Sequence, residues 1–365
     1  MSAAAARTAT QHHEVVVIGG GQAGLAIGHF LAEQGRRFTI LEAAGEPAAA
    51  WRSRWDSLRL FTPVRYDSLP GLTFPGDPDS YPGRDDVIAY LTDYARHFEL
   101  PVEYGQRVQA VRASGGGFVV ETANRTYETD QVVVATGPFQ VPFVPSISDH
   151  LDPGVVQLHS NAYRSPDDLA NGPVLVVGGG NTGFQIADEL ATSREVHLAV
   201  GARQTPLPQR ILGRDLIRYL VATGLMGETV TSRLGQRLKD RDTLIGSSPR
   251  AARKRGIQMR ARAIAAAAST VTCADGTALT VGGVVWATGF RLDHSIVELP
   301  VFDDQGAVEH KRGVTAVPGL YFLGLPWQHT RGSALLGWVK DDAQYIAQVI
   351  GARAPSLLST VLNTE

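Results

Sequence analysis

Val15-Val16-Val17-Ile18-Gly19-Gly20-Gly21-Gln22-Ala23-Gly24 and Val174-Leu175-Val176-Val177-Gly178-Gly179-Gly180-Asn181-Thr182-Gly183 repeat one pattern within a single chain. Each is a run of apolar β-formers followed by G-x-G-x-x-G, and each leads into a helix-forming stretch, residues 25–34 and 184–192. Four successive apolar residues suit a strand buried on both faces of a parallel sheet. The glycines let the chain turn tightly, bring backbone N–H groups against a pyrophosphate, and aim a helix N-terminus at its negative charge. Two such units predict an α/β chain with two Rossmann-like dinucleotide-binding domains. Gly19, Gly21, Gln22, Ala23 and Gly24 are expected to hold one dinucleotide, and Gly178, Gly180, Asn181, Thr182 and Gly183 the other.

The copies differ where a Rossmann unit meets the adenosine ribose. After the first, Arg37-Phe38-Thr39-Ile40-Leu41 ends in Glu42, whose carboxylate accepts hydrogen bonds from free ribose hydroxyls and repels a 2′-phosphate. After the second, Val196-His197-Leu198-Ala199-Val200 ends in Gly201-Ala202-Arg203, with an arginine suited to a 2′-phosphate. FAD is therefore expected in the first site and NADPH in the second, with Arg203 setting the preference.

Length and charge agree with this reading. A chain of 365 residues fits two α/β domains. Its net charge is −2, yet residues 203–262 carry 14 Lys and Arg against four acids. Such a basic belt beside the second fingerprint would draw in the polyanionic NADPH. The segment has no aromatics interleaved among residues 250–262, so a nucleic-acid partner is not expected. Cys273 is the single cysteine, which rules out an intrachain disulfide or a CxxC redox pair. The histidines are scattered, and no metal is expected. Residues 1–13, Ala/Thr-rich and without the apolar core of a signal peptide, are expected to be disordered. No run of 18 apolar residues occurs. A cytoplasmic protein without a membrane partner, monomeric or homodimeric, is expected.

Two further strands end alike, Val132-Val133-Val134-Ala135-Thr136-Gly137 and Val284-Val285-Trp286-Ala287-Thr288-Gly289. Each would close a Rossmann unit and let the chain cross between domains at the sheet edge where ligands lie. These crossings predict an NADPH domain of residues 166–288 inserted into an FAD domain made of 14–165 and 289–365. Thr136, Gly137 and Thr288 join the cofactor-site candidates, with Trp51 and Arg52 from the proline-braced stretch 51–82 and Val108 from a small meander. Residues 85–99 read as an amphipathic helix. Near the C-terminus the strand 319–324 is followed by a stretch read as a helix from Gly332 to about residue 350. Free N–H groups at Gly332, Ser333 and Ala334, and the turn at Gly324, would face the flavin.

The order GGGQAGL, ATG, LHSNAYR, GGGNTG, ATGF and GLYFLGLPWQHTRGSALLGW resembles the flavin-containing monooxygenases, and among them bacterial single-chain members similar to plant YUCCA enzymes. The resemblance spans residues 15–350. It implies an NADPH-reduced FAD enzyme that transfers oxygen from O2, through a flavin C4a-hydroperoxide, to a small soft-nucleophile or carbonyl substrate. Thr62, Gln328, His329 and Arg331 are candidates for polar groups around the flavin, by their neighbouring motifs. The family signature places His159 and Tyr163 as expected, while Pro153 and Val155 replace its Phe and Gly, and Leu325 stands where many relatives of this architecture have Asp. The alternative reading is an NADPH-dependent flavin reductase or oxidase that releases hydrogen peroxide.

Overall fold

The computed structural model of the chain describes residues 10–202, 204–239 and 243–353. Val15, Val16, Val17 and Ile18 are 0–4 % exposed, as a strand covered on both faces must be. They end the strand Thr10–Ile18, which lies parallel to Phe38–Leu41 on one side and Thr126–Val134 on the other. Leu320–Phe322 continues the parallel set beyond Thr126–Val134. The full order across this sheet is 310–311, 314–315, 320–322, 126–134, 10–18, 38–41 and 102–103, with the antiparallel strands Val108–Ser114 and Gly117–Thr122 attached through Thr126–Val134. The sheet is thus built from both ends of the chain.

Helices Gln22–Glu33 and Val339–Ala352 share one apolar cluster on this sheet, with Ile27, Leu31, Ile346 and Ile350 fully buried. Burial of each such side chain contributes about 1.5–3 kcal/mol. The Gln34 amide, just past the first helix, donates to the Ala347 carbonyl at 3.0 Å and fixes the pair in register. Helix Arg84–His97 pins the proline-braced stretch. Its Tyr90 hydroxyl accepts from Leu69 N at 2.7 Å and donates to Leu72 O at 2.8 Å, while Tyr94 donates to Pro70 O at 2.6 Å. Irregular backbone is ordered here by side-chain partners in place of a ladder.

The second sheet is all parallel, in the order Gln258–Arg260, Val196–Ala199, Val174–Val177, Gly283–Trp286 and Val156–His159. Its edge strand Val156–His159, assigned by the sequence reading to the first unit, pairs with Gly283–Trp286, and Trp286 Nε1 donates to Gln157 Oε1 at 3.1 Å. Cys273 is buried in the small antiparallel sheet beside it.

Two expectations are corrected. Residues 10–13, expected to be disordered, extend the first strand, because Thr126–Thr129 run on past the sheet core and offer them backbone partners. The rest of that segment, 1–9, lies outside the described residues. The last helix begins at Val339 and not at Gly332. Residues 330–338 instead make successive tight turns, with Ser333 N bonded to Thr330 O, Leu335 N to Gly332 O and Trp338 N to Leu335 O. The cause is close packing: a Cβ on Gly337 would sit 1.6 Å from Tyr66 O, and Trp338 stacks on Tyr66 at 5.7 Å.

Candidate functional site

A cavity of about 610 Å³ runs from the first glycine turn to the start of the second fingerprint helix. Its geometry at the first turn follows from three glycines with different duties. A Cβ on Gly19, at φ +111°, would stand 2.6 Å from Ala135 O, and one on Gly24 would stand 1.9 Å from Gly19 O. These two let strand, helix and crossing touch. A Cβ on Gly21 would meet nothing within 4 Å. Gly21 faces the cavity and caps helix Gln22–Glu33 without any side-chain bond, so the first-turn N–H groups remain available to an anion. Glu42 also lines the cavity, its carboxylate oriented by Gly20 N at 2.8 Å and Ala44 N at 2.8 Å.

Of the remaining residues expected at the first dinucleotide, Gln22, Ala23, Trp51, Val108, Thr136, Gly137, Gly324 and Ala334 line the cavity. Gln22 Nε2 donates to Ala334 O at 2.9 Å, tying the helix start to the C-terminal turns. Arg52 points away, toward Pro47 O and Glu46. Gly332 and Ser333 stand behind the wall, where the buried Ser333 hydroxyl accepts from His329 N and Thr330 N, both at 3.0 Å.

Thr62, Gln328, His329 and Arg331 do not line this cavity. Thr62 donates to Asp67 Oδ1 at 2.6 Å. Gln328 accepts from Leu325 N at 3.2 Å, its Nε2 buried without a partner among the described residues. The His329 carbonyl accepts from Val230 N at 2.8 Å, and Arg331 donates to Thr243 Oγ1 at 3.0 Å. Burial lowers the pKa of both His329 and Arg331. The segment 328–331 therefore joins the C-terminal turns to Val230 and Thr243.

The second turn repeats the first. Gly178, at φ +137°, would place a Cβ 2.1 Å from Ala287 O; Gly183 would place one 2.1 Å from Gly178 O; Gly180 is open, with nothing within 4 Å. Asn181 and Thr182 line the far end of the cavity, and Asn181 Oδ1 accepts from Ile245 N at 3.0 Å. Thr288 donates to Phe143 O. His159 Nε2 donates to Gly289 O at 2.9 Å, so the signature histidine braces a crossing. Arg203 lies outside the described residues. Sequence reasoning missed Arg54, Phe139, Gln140, Gln185 and Phe290, all on the cavity wall. The cation inside Trp51-Arg52-Ser53-Arg54-Trp55 was the available signal, since charge amid aromatics is unusual.

Asp67 supplies a pH-dependent feature next to the site. It is fully buried, and burial, with Asp215 adding to it and the Thr62 hydroxyl opposing, pushes its carboxyl up to about 8 from an ordinary 3.8. The folded chain thus keeps a proton that the unfolded chain releases near pH 4. Stability from this group is present at the acid end and is lost as pH rises toward about 8. Asp67→Asn, which still accepts from Thr62, is expected to raise the melting temperature over wild type by a margin that grows from pH 5 to pH 8. A margin flat across that range in thermal melts would contradict the assignment.

Two sheets with parallel cores, each entered through an open glycine turn, one cavity that reaches from the first turn to the start of the second fingerprint helix, and paired Ala-Thr-Gly crossings define the architecture of an oxidoreductase with two Rossmann-like units. The family model described as pyridine nucleotide-disulphide oxidoreductase matches residues 16–210. An uncharacterized CzcO-like oxidoreductase of Geobacillus kaustophilus is 42 % identical over 91 % of this chain and 97 % of its own. The probable indole-3-pyruvate monooxygenase YUCCA1 of Arabidopsis thaliana is 34 % identical over 65 % of this chain and 58 % of its own. The solved flavin-containing monooxygenase from Stenotrophomonas maltophilia is 32 % identical, with TM-score 0.78 over 94 % of this chain and 99 % of that one. The chain belongs to the pyridine nucleotide-disulphide oxidoreductase family and, within it, to the flavin-containing monooxygenases. It is an enzyme of that class. Among the described residues no helix is long and apolar enough to cross a membrane.

Proposed function

We propose that this enzyme is an NADPH-dependent FAD monooxygenase that oxygenates a small soft-nucleophile or carbonyl substrate. The observation that carries the reading is the single cavity shared by Gly21 and by the start of the second fingerprint helix, which would bring two dinucleotides to one space. The residues fit the flavin: the open volume at Gly21 suits a pyrophosphate, and the fixed Glu42 carboxylate retains lone pairs for ribose hydroxyls. In this reading residues 14–165 and 289–365 form the FAD unit and residues 166–288 the NADPH unit, with the strand Val156–His159 lent to the second sheet. Bound flavin supplies hydride acceptance and oxygen activation. The chain's own part is to orient the ligands through Gly21, Glu42, Gly180 and Thr182, and to keep water from them with the apolar wall of Trp55, Leu58, Leu60, Phe61 and Phe290.

The test is NADPH oxidation under 18O2 with a panel of sulfides, amines, ketones and 2-oxo acids. Label in the product of one class, with peroxide falling as product rises, supports the proposal. Peroxide equal to NADPH consumed for every class overturns it in favour of a reductase or oxidase. Arg203→Ala is expected to raise KM for NADPH at least tenfold, since a charge-assisted contact contributes about 1.5–3 kcal/mol. KM for NADH should stay unchanged. An unaltered NADPH/NADH ratio would remove Arg203 from the second site.

A further inference from the structure

Arg54 is 8 % exposed and stands on the cavity wall. Its guanidinium carbon lies 4.4 Å from the ring centre of Phe139 and 5.1 Å from that of Phe290, two rings that meet edge-on at 5.2 Å. Among the described residues no oxygen atom pairs with its side chain. Of the two carboxylates on the same wall, Glu42 is held by the amides of Gly20 and Ala44 and Asp293 by the amide of Ser295. The neighbouring charge is a second cation, Arg164, itself bonded to the carbonyls of Ser53, Asn161 and Tyr163. Burial and Arg164 together lower the Arg54 pKa to about 10, still far above neutrality.

A charged guanidinium this deep is costly unless answered. Two aromatic faces offset part of that cost and use none of its five N–H donors. Those donors border a cavity wide enough for a ligand. Phe290 directly follows the crossing at Gly289 and Phe139 stands two residues after that at Gly137, and Asn181, Thr182 and Gln185 of the second fingerprint helix share the wall. Arg54 is therefore fixed where the two units meet.

We infer that Arg54 is the anion-recognition residue of this cavity, its planar fork receiving either the carboxylate of a substrate or a phosphate of the nicotinamide dinucleotide. The inference rests on the proposed function only in presuming that such ligands enter. A rigid fork held between rings gives two parallel bonds to paired oxygens, which a point charge does not.

The experiment uses the flavin-loaded enzyme and Arg54→Met, whose unbranched side chain keeps the packing between the rings and removes the fork. Dissociation constants are measured for phenylacetate and for NADP+ separately, from changes in flavin absorbance. At least tenfold weakening in one arm, with flavin content and melting temperature kept, supports the inference. Loss for phenylacetate alone assigns a substrate carboxylate, and loss for NADP+ alone assigns the dinucleotide. Wild-type affinity in both arms overturns it, as does a wild type that binds neither probe. Release of FAD from folded Arg54→Met also overturns it, because the guanidinium would then serve the flavin's own phosphates. Should Arg54→Met fail to fold, Arg54→Lys is carried through the same arms, with threefold weakening in one arm as support and no change as refutation. A wild type that lacks flavin or leaves NADPH unoxidised defeats the proposed function instead, and both constants are then read from shifts in melting temperature.

Discussion

Gly21→Val is expected to yield folded, colourless protein. The backbone at Gly21 is extended, at φ −80°, and a Cβ there meets no protein atom within 4 Å, so the fold has room for a side chain to begin here. The cost falls on whatever occupies the open space. Branched methyls in front of the first helical N–H groups would keep a pyrophosphate from reaching them. A thousandfold weakening of flavin binding, about 4 kcal/mol, is the expected scale. Flavin absorbance per chain and a melting curve of the apoprotein check the two halves separately. Full flavin content in the variant would show that the first turn does not hold the cofactor.

Gly24→Ala is expected to do the reverse and strike the fold itself. One methyl there would lie 1.9 Å from Gly19 O and 3.1 Å from Gly19 C, both backbone atoms that cannot swing aside. The helix Gln22–Glu33 would have to lift off the strand it follows, taking with it the cluster shared with Val339–Ala352. Ordinary overpacking costs about 1–3 kcal/mol; this exceeds it, against a total stability of about 5–15 kcal/mol. Insoluble expression, or a melting temperature lowered by roughly 10 °C or more, is the expected result, and a normal melt would mean that the turn can open.

The contrast between these two glycines explains what could be read from the chain in advance. G-x-G-x-x-G is legible because each position answers a short-range steric demand that no other residue meets. The buried strands around it were legible because continuous apolar runs have one good use in an α/β protein. Val156–His159 was not, since an edge strand needs a partner on one side only and its residues mix polar and apolar. The turns at 330–338 were misread as helix because their composition permits helix; contact with Tyr66, far away in sequence, decides otherwise. Thr62 and residues 328–331 sit near motifs that reach the cavity without reaching it themselves. Proximity along the chain says little about which side of a wall a side chain takes. Arg54 depends on three segments converging, and no local pattern encodes that.

The first sheet places Leu320–Phe322 beside Thr126–Val134, whereas every strand of the second sheet falls between Val156 and Trp286. On a ribosome the two halves therefore mature in inverted order. The inserted sheet has all its strands in hand while the outer one still waits, its edge at Val132–Val134 bare, for a segment not yet synthesised. Long-separated pairings close late and slowly, and an unpaired edge in the interval invites association with other chains. The lobe that starts first at the N-terminus is the one that finishes last, and a nascent chain halted short of Leu320 would carry a complete inner sheet inside an unfinished outer one.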